Sequence, residues 1–143
     1  MVLADSNVWL ALALSTHQFH ELARDWLARQ AEPNALAFCR LTQLSFLRLL
    51  TTRAVLAPYG TPPLRNKSAW SLYTRFRADQ RIGFADEPKD VDRHWQKLTA
   101  GSQSYPKLWM DAYLAAFALA QPCRLVTTDK AFRQFKGLDL VVL

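Results

Sequence analysis

Short apolar runs alternate with longer segments of helical periodicity along the whole chain. Five runs of four to six residues predict strands: VLAD (2–5), ALAFC (35–39), RIGFA (81–85), RLVTT (124–128) and LDLVVL (138–143). Apolar residues at helical spacing predict helices over 7–15, 20–30, 42–52, 67–79, 91–100, 107–120 and 130–135. Ser6 or Asn7 is the expected cap of the first helix, and the prolines and glycine of 57–66 indicate a loop.

Strands that alternate with helices predict an α/β fold with a parallel sheet covered on both faces. The 143 residues suit one ordinary domain spanning 1–143. Asp5 interrupts the first apolar run and no Lys or Arg precedes Arg24, which argues against a signal peptide. No later stretch is long and uncharged enough to span a membrane. Cys39 and Cys123 fit reduced, structural cysteines, so we expect a cytoplasmic protein.

Positive charge is concentrated in the middle of the chain. The formal net charge is +6. Residues 48–81 contain seven basic side chains against Asp79 alone, whereas the rest of the chain is balanced. Such a segment suits a polyanion such as nucleic acid. A solvated helical face or an acidic protein partner explains the same charge equally well.

Three aspartates occupy positions where chemistry is expected. Asp5 ends the first strand, and Asp129 follows RLVTT directly before a helix. Asp111 is the only acidic residue between Pro106 and Arg124, near the start of the most apolar helix. Functional groups gather at the carboxyl ends of parallel strands, and carboxylates that meet there repel each other unless a divalent cation binds them. Each aspartate alone is explained by capping or by the helix dipole, but the three together with the basic segment favour a metal site.

Four motifs together resemble one known family over nearly the whole chain. They are DSNVWLALA (5–13), RLTQLSFLRLLT (40–51), MDAYLAAFAL (110–119) and LVTTDKAF (125–132). In this order and spacing they are similar to PIN-domain ribonucleases of the VapC toxin type. The resemblance implies a three-layer α/β/α domain with a central parallel sheet. It also implies a Mg²⁺- or Mn²⁺-dependent endoribonuclease acting on RNA such as tRNA, rRNA or mRNA, and a homodimer neutralised by a cognate antitoxin.

The same resemblance assigns roles to individual residues. It places the metal at Asp5, Asp111 and Asp129. It adds Thr127 and Gln43 to the catalytic set, and it has Ser6 and Asn7 orienting water or ligands beside the metal. Phosphate contacts are expected from basic residues on or near the motifs: Arg48, Arg53 and Lys130.

Gln43 is the one departure from the family pattern. A glutamate usually follows the threonine of this helix, whereas Gln43 supplies a neutral carbonyl and amide. We therefore expect weaker metal affinity and less support for a second ion. The alternative hypothesis is a catalytically weakened or inactive PIN-like module that binds RNA or protein. A phospho-acceptor receiver domain fits less well, because Asp5 stands alone after the first strand.

Other polar and aromatic residues favour packing roles. His17 and His20 lack a cysteine or carboxylate at a standard metal-ligand spacing. The tryptophans lie mostly at helical spacing with leucine or phenylalanine, which favours core or dimer packing over stacking on RNA: Trp9, Trp26, Trp70, Trp95 and Trp109. Phe46, Leu49 and Leu50 are predicted to belong to an oligomer or antitoxin surface.

Overall fold

A five-stranded parallel sheet forms the centre of the molecule. The computed structural model describes residues 1–143, and its strands are β1 Val2–Ala4, β2 Leu36–Phe38, β3 Ile82–Phe84, β4 Arg124–Thr127 and β5 Leu140–Val142. Their order across the sheet is β3-β2-β1-β4-β5, and every pair is parallel. Each strand lies within one of the five predicted apolar runs, and the predicted parallel sheet is confirmed.

Seven α-helices connect these strands. They are α1 Ser6–Ala13, α2 His20–Ala28, α3 Arg40–Leu50, α4 Arg53–Leu56, α5 Asn66–Arg77, α6 Val91–Thr99 and α7 Leu108–Ala120. The short α4 was not predicted. Part of the predicted loop, Ala57–Tyr59, forms a 3-10 helix that ends at Gly60 with a φ of 66°. The predicted last helix is also a 3-10 helix, Lys130–Gln134.

Alternating side chains of the strands pack into two separate cores, one on each face of the sheet. Helices cover both faces, so the domain has three α/β/α layers. Ala4, Phe38 and Val126 pack with buried residues of α1 to α5 on one face. On the other face Leu3 and Leu125 pack with buried residues of α6 and α7. Because successive side chains of a strand point to opposite faces, even these short strands bury both sides.

The core under α3 corrects one expectation. Phe46 and Leu50 are fully buried and belong to the same core as Phe38. They therefore cannot form an oligomer or antitoxin surface, whereas Leu49 is half-buried and lines a cleft described below. The hydrophobic spacing of α3 marks the side that faces the sheet. Trp9 also packs in this core as expected, stacked on Phe38 with ring centroids 3.6 Å apart.

The strand order places the carboxyl ends of β1 and β4 next to each other. The chain passes from β1 to β2 and β3 on one side, then crosses to β4 and β5 on the other. Ligands of open parallel sheets bind at such a reversal of direction. Asp5 directly follows β1, and Asp129 lies two residues after β4. No helix in the structure has the length and apolar character required to cross a membrane.

Candidate active site

Asp5 caps α1 and is held at the sheet edge by three contacts. Its backbone N–H donates to Val126 O (3.0 Å), its Oδ1 accepts from the Ser6 N–H (2.6 Å), and its Oδ2 accepts from the Thr127 hydroxyl (2.7 Å). Asp5, and not Ser6 or Asn7, is therefore the N-cap. Burial raises the pKa of Asp5 to about 6 although these two side-chain contacts lower it, and the charges of Asp111 and Asp129 raise it further.

Thr127 connects the ends of the two central strands. Its buried hydroxyl donates to Asp5 and accepts from Asn7 Nδ2 (3.2 Å) and from the Asp129 N–H (3.0 Å). Asn7 Oδ1 in turn accepts from the Thr128 N–H (3.2 Å). The predicted residues Asn7 and Thr127 are thus brought together with Asp5, where they fix its orientation.

Asp111 and Asp129 complete a group of three carboxylates. Asp111 lies in the first turn of α7 and is half-buried. Its pKa is raised, first by burial and then by the charge of Asp129, and no hydrogen bond contributes. Asp129 is exposed, and its Oδ1 caps the following 3-10 helix by accepting from the Ala131 N–H (2.8 Å). The pKa of Asp5 is raised by the charges of Asp111 and Asp129, and that of Asp111 by the charge of Asp129, as expected for carboxylates that share one site.

The three carboxylates line one cleft of about 360 Å³. Its walls come from the start of α1, one face of α3, the start of α7 and the loop after β4: Asp5, Ser6, Asn7, Leu41, Thr42, Ser45, Arg48, Leu49, Pro106, Lys107, Met110, Asp111, Leu114 and Asp129. The cleft therefore joins elements that are far apart in sequence. It contains a concentration of negative charge near Arg48 and Lys107.

Gln43 does not line this cleft, contrary to the expectation that it acts beside the carboxylates. Its side chain is buried, and Oε1 accepts a hydrogen bond from the Arg40 guanidinium. Gln43 lies one helical turn before Phe46 and two turns before Leu50, so it is on the same face of α3 as these two fully buried residues. The face of α3 that meets the cleft carries Ser45 instead. Ser45 is three residues from both Thr42 and Arg48, and this spacing is the feature of the sequence that places the three on one face of the helix.

The basic residues of the cleft are only partly those expected. Arg48 lines it, whereas Arg53 and Lys130 are exposed and lie outside its lining. Lys107, which sequence reasoning missed, also lines the cleft. Two members of the basic segment bind elsewhere: Arg77 donates to Ile82 O, and Arg81 forms an ion pair with Asp79 at 2.6 Å. Only part of the concentrated positive charge is therefore available to a ligand at this cleft.

The ligands available in the cleft fit a divalent cation that keeps some of its water molecules better than one bound by protein atoms alone. No group of three or more histidine, cysteine, aspartate or glutamate side chains is arranged to hold a metal ion by itself. Asp5 and Asp129 both use a carboxylate oxygen to cap a helix, whereas Asp111 has no such contact. Mg²⁺ usually keeps several waters and is bound through one or two carboxylates. The remaining oxygens of these side chains offer the hard ligands that Mg²⁺ and Mn²⁺ prefer.

Comparisons with known proteins agree with this architecture. The PIN domain family model matches residues 2–138. Ribonuclease VapC41 of Mycobacterium tuberculosis is 50% identical over 144 residues, covering 100% of this chain and 99% of the relative. Ribonuclease VapC44 of the same organism is 33% identical over 131 residues, covering 90% of this chain and 86% of the relative.

Solved structures show the same fold at low sequence identity. VapC20 of Mycobacterium tuberculosis, described as a Sarcin-Ricin loop cleaving toxin, aligns with a TM-score of 0.65 at 15% identity, covering 97% of this chain and 98% of its own. VapBC2 from Rickettsia felis, bound to a DNA fragment from its promoter, aligns with a TM-score of 0.63 at 14% identity, covering 100% and 99%. The family match and the full-length relative together establish that the chain belongs to the PIN-domain family and, within it, to the VapC toxins.

Proposed function

We propose that this protein is a divalent-metal-dependent endoribonuclease toxin that hydrolyses RNA phosphodiester bonds. The observation that carries the proposal is the convergence of Asp5, Asp111 and Asp129 on one cleft at the reversal point of the sheet. Burial and mutual repulsion raise the pKa of two of these carboxylates, so binding of a cation there relieves an unfavourable charge distribution. The names of the full-length relatives, which are ribonucleases, support the same activity.

Each group of residues in the cleft has its own role in the proposed hydrolysis of the phosphodiester bond. Oxygens of Asp5, Asp111 and Asp129 would, together with water, hold Mg²⁺ or Mn²⁺, and the cation would supply Lewis-acid polarisation of a phosphate and a water of lowered pKa. Thr127 keeps the Asp5 carboxylate in one orientation. Arg48 and Lys107 provide positive charge for the phosphates on either side of the scissile bond. Such contacts give affinity and salt dependence but no choice of sequence.

The proposed partners follow from the solved relatives and from the family. Toxin–antitoxin complexes from Rickettsia felis and Klebsiella pneumoniae share the fold of this chain. We propose that this protein likewise binds a cognate antitoxin protein, that it forms a homodimer, and that its substrate is a structured RNA such as tRNA, rRNA or mRNA. VapC20, which shares this fold, is a Sarcin-Ricin loop cleaving toxin, and this supports a structured target.

The direct test is cleavage of RNA by the purified protein with and without a chelator. We expect cleavage with Mg²⁺ or Mn²⁺, loss of cleavage in EDTA, and recovery when the cation is added in excess. The measurement is gel electrophoresis of end-labelled RNA, which separates internal cuts from degradation at the ends. Undiminished cleavage in EDTA would contradict the metal-dependent mechanism, and absence of cleavage under every metal condition would contradict the enzyme.

The inactive-module hypothesis loses its main support. It depended on Gln43 taking the place of a fourth carboxylate beside the metal, whereas the Gln43 side chain contacts Arg40 and does not line the cleft. The position of Gln43 outside the cleft lining therefore favours the active enzyme over the inactive module.

Paired substitutions on α3 test which residue faces the metal. We expect Ser45→Asp to tighten Mn²⁺ binding by about 3- to 10-fold, because it adds a carboxylate to the cleft wall. We expect Gln43→Glu to leave Mn²⁺ binding unchanged, because the new carboxylate would pair with Arg40. Isothermal titration calorimetry with Mn²⁺ measures both. Tighter binding in Gln43→Glu alone would show that α3 meets the metal through its other face.

A further inference from the structure

A broad depression adjoins the cleft along the segment that leads into α7. It measures about 1030 Å³, nearly three times the cleft of about 360 Å³, and lies between the end of α6 and the start of α7. Pro106 lines both, and Lys107 follows on the cleft side. A ligand that occupies the cleft and extends past Lys107 therefore enters this depression.

Two exposed aromatic rings line the depression. The side chains of Tyr105 and Trp109 are 55% and 53% exposed, which is unusual for residues of this size. Trp109 meets Trp95 edge to face, with ring centroids 5.9 Å apart and planes at 87°. The Trp95 Nε1–H also donates to Trp109 O (3.0 Å). Trp95 thus packs against Trp109 while about half of Trp109 remains exposed, so little side-chain entropy is lost when a planar group stacks there.

We propose that the depression binds an unpaired nucleotide of the RNA substrate next to the scissile phosphate, with its base stacked on Trp109 and Tyr105. This inference rests on the proposed ribonuclease function and names a part of the substrate that the cleft alone does not hold. Proteins recognise single-stranded nucleotides by stacking them on aromatic rings and contacting base edges with polar side chains. Lys107 lines the cleft directly after Pro106, the residue that lines both sites, and its charge would neutralise the connecting phosphate.

The rest of the lining fits a nucleotide better than a second copy of the chain. Thr99, Ser102, Gln103 and Ser104 provide hydroxyl and amide groups around the two rings. These groups suit the hydrogen-bonding edges of a base and the hydroxyls of a ribose. The fully buried core of a homodimer interface is more apolar than this surface.

Binding of two oligomers to a cleavage-deficient background tests the proposal. In Asp111→Asn protein we expect Trp109→Ala to lower the affinity for fluorescein-labelled oligoadenylate of about ten nucleotides by about 5- to 20-fold. Trp109→Phe should retain most of the affinity, because phenylalanine also stacks. Affinity for an abasic ribose–phosphate oligomer of the same length should not change. Leu22→Ala is the matched control, since Leu22 is 54% exposed on α2. Fluorescence anisotropy measures all of these affinities.

Three results would overturn the stacking site. They are unchanged or undetectable binding of oligoadenylate, an equal loss for the abasic oligomer, and conversion of a dimer to a monomer by Trp109→Ala in light scattering. The last result would assign the aromatic surface to contact between copies. Cleavage by the wild-type protein is measured separately with Mg²⁺. If the wild-type protein cleaves RNA but Trp109→Ala does not weaken oligoadenylate binding, only the stacking site is wrong. If Trp109→Ala weakens binding but the wild-type protein does not cleave RNA, the proposed enzyme activity is wrong.

Discussion

Asp111→Asn is expected to lower the rate of RNA cleavage by on the order of 100- to 1000-fold while leaving the fold intact. The Asp111 carboxylate has no hydrogen bond that contributes to its pKa, so its removal breaks no stabilising contact. The substitution keeps the size of the side chain and removes only its charge. Because burial and the charge of Asp129 raise the pKa of Asp111, we expect the free energy of unfolding at pH 7 to be raised slightly and not lowered. Single-turnover cleavage with Mg²⁺ and urea denaturation measure the two effects on the same preparation.

Asp25→Asn is the matched control for Asp111→Asn. Asp25 is exposed on α2 and contributes nothing to the cleft, so the same chemical change should leave cleavage unaffected. Equal rates for wild type and Asp111→Asn would show that this carboxylate has no part in catalysis. A loss of rate accompanied by a large loss of stability would show a structural role instead.

Asp5→Asn is expected to abolish activity and, at the same time, to stabilise the metal-free protein. The folded protein holds Asp5 with a pKa of about 6, against an ordinary value of 3.8. Ionisation of this half-buried group above pH 6 therefore opposes folding, and each pKa unit corresponds to about 1.4 kcal/mol. Allowing for relaxation, we expect Asp5→Asn to raise the free energy of unfolding by about 1–2 kcal/mol at pH 7. Urea denaturation in EDTA measures the gain.

The dependence of this gain on pH has a definite sign. Because the folded-state pKa is raised, the folded protein binds more protons than the unfolded chain between about pH 4 and pH 6. The contribution of Asp5 to stability is therefore greatest at low pH and is lost as the pH rises through about 6. Wild type and Asp5→Asn should have similar stability near pH 4 and diverge above it. A constant difference across this range, or a less stable variant at pH 7, would show that burial of the Asp5 charge costs nothing.

These two predictions describe one physical feature. Repulsion among Asp5, Asp111 and Asp129 destabilises the metal-free protein and is relieved when a cation binds. Saturating Mg²⁺ should therefore stabilise wild type more than Asp5→Asn, as linkage between binding and folding requires. Active sites commonly lower the stability of a protein, because the charged groups that the reaction needs repel each other when no ligand is bound.

The strands, the longer helices and the positions of the three carboxylates could be predicted from local features of the sequence. Each strand lies in an apolar run, and each long helix shows its own periodicity. Asp5 and Asp129 were identified because they stand between a strand and a helix, and parallel strands bring such positions to one edge. The prediction for Phe46 and Leu50 was wrong because the apolar face of this basic helix packs on the sheet and not at the surface. Their contacts with the sheet are not visible in the helix alone.

The sequence by itself determined the parallel α/β architecture and the positions of Asp5 and Asp129 at strand ends. Both depend only on residues that are close together in the sequence, through the periodicity of apolar side chains and the end of each apolar run. Only the tertiary structure decided which face of α3 meets the cleft, and therefore that Ser45 lines it and Gln43 does not. The same holds for Lys107, which reaches the cleft because α7 packs across the sheet from α3. Helix rotation and contact between distant segments depend on how whole surfaces pack together, and no local pattern specifies them.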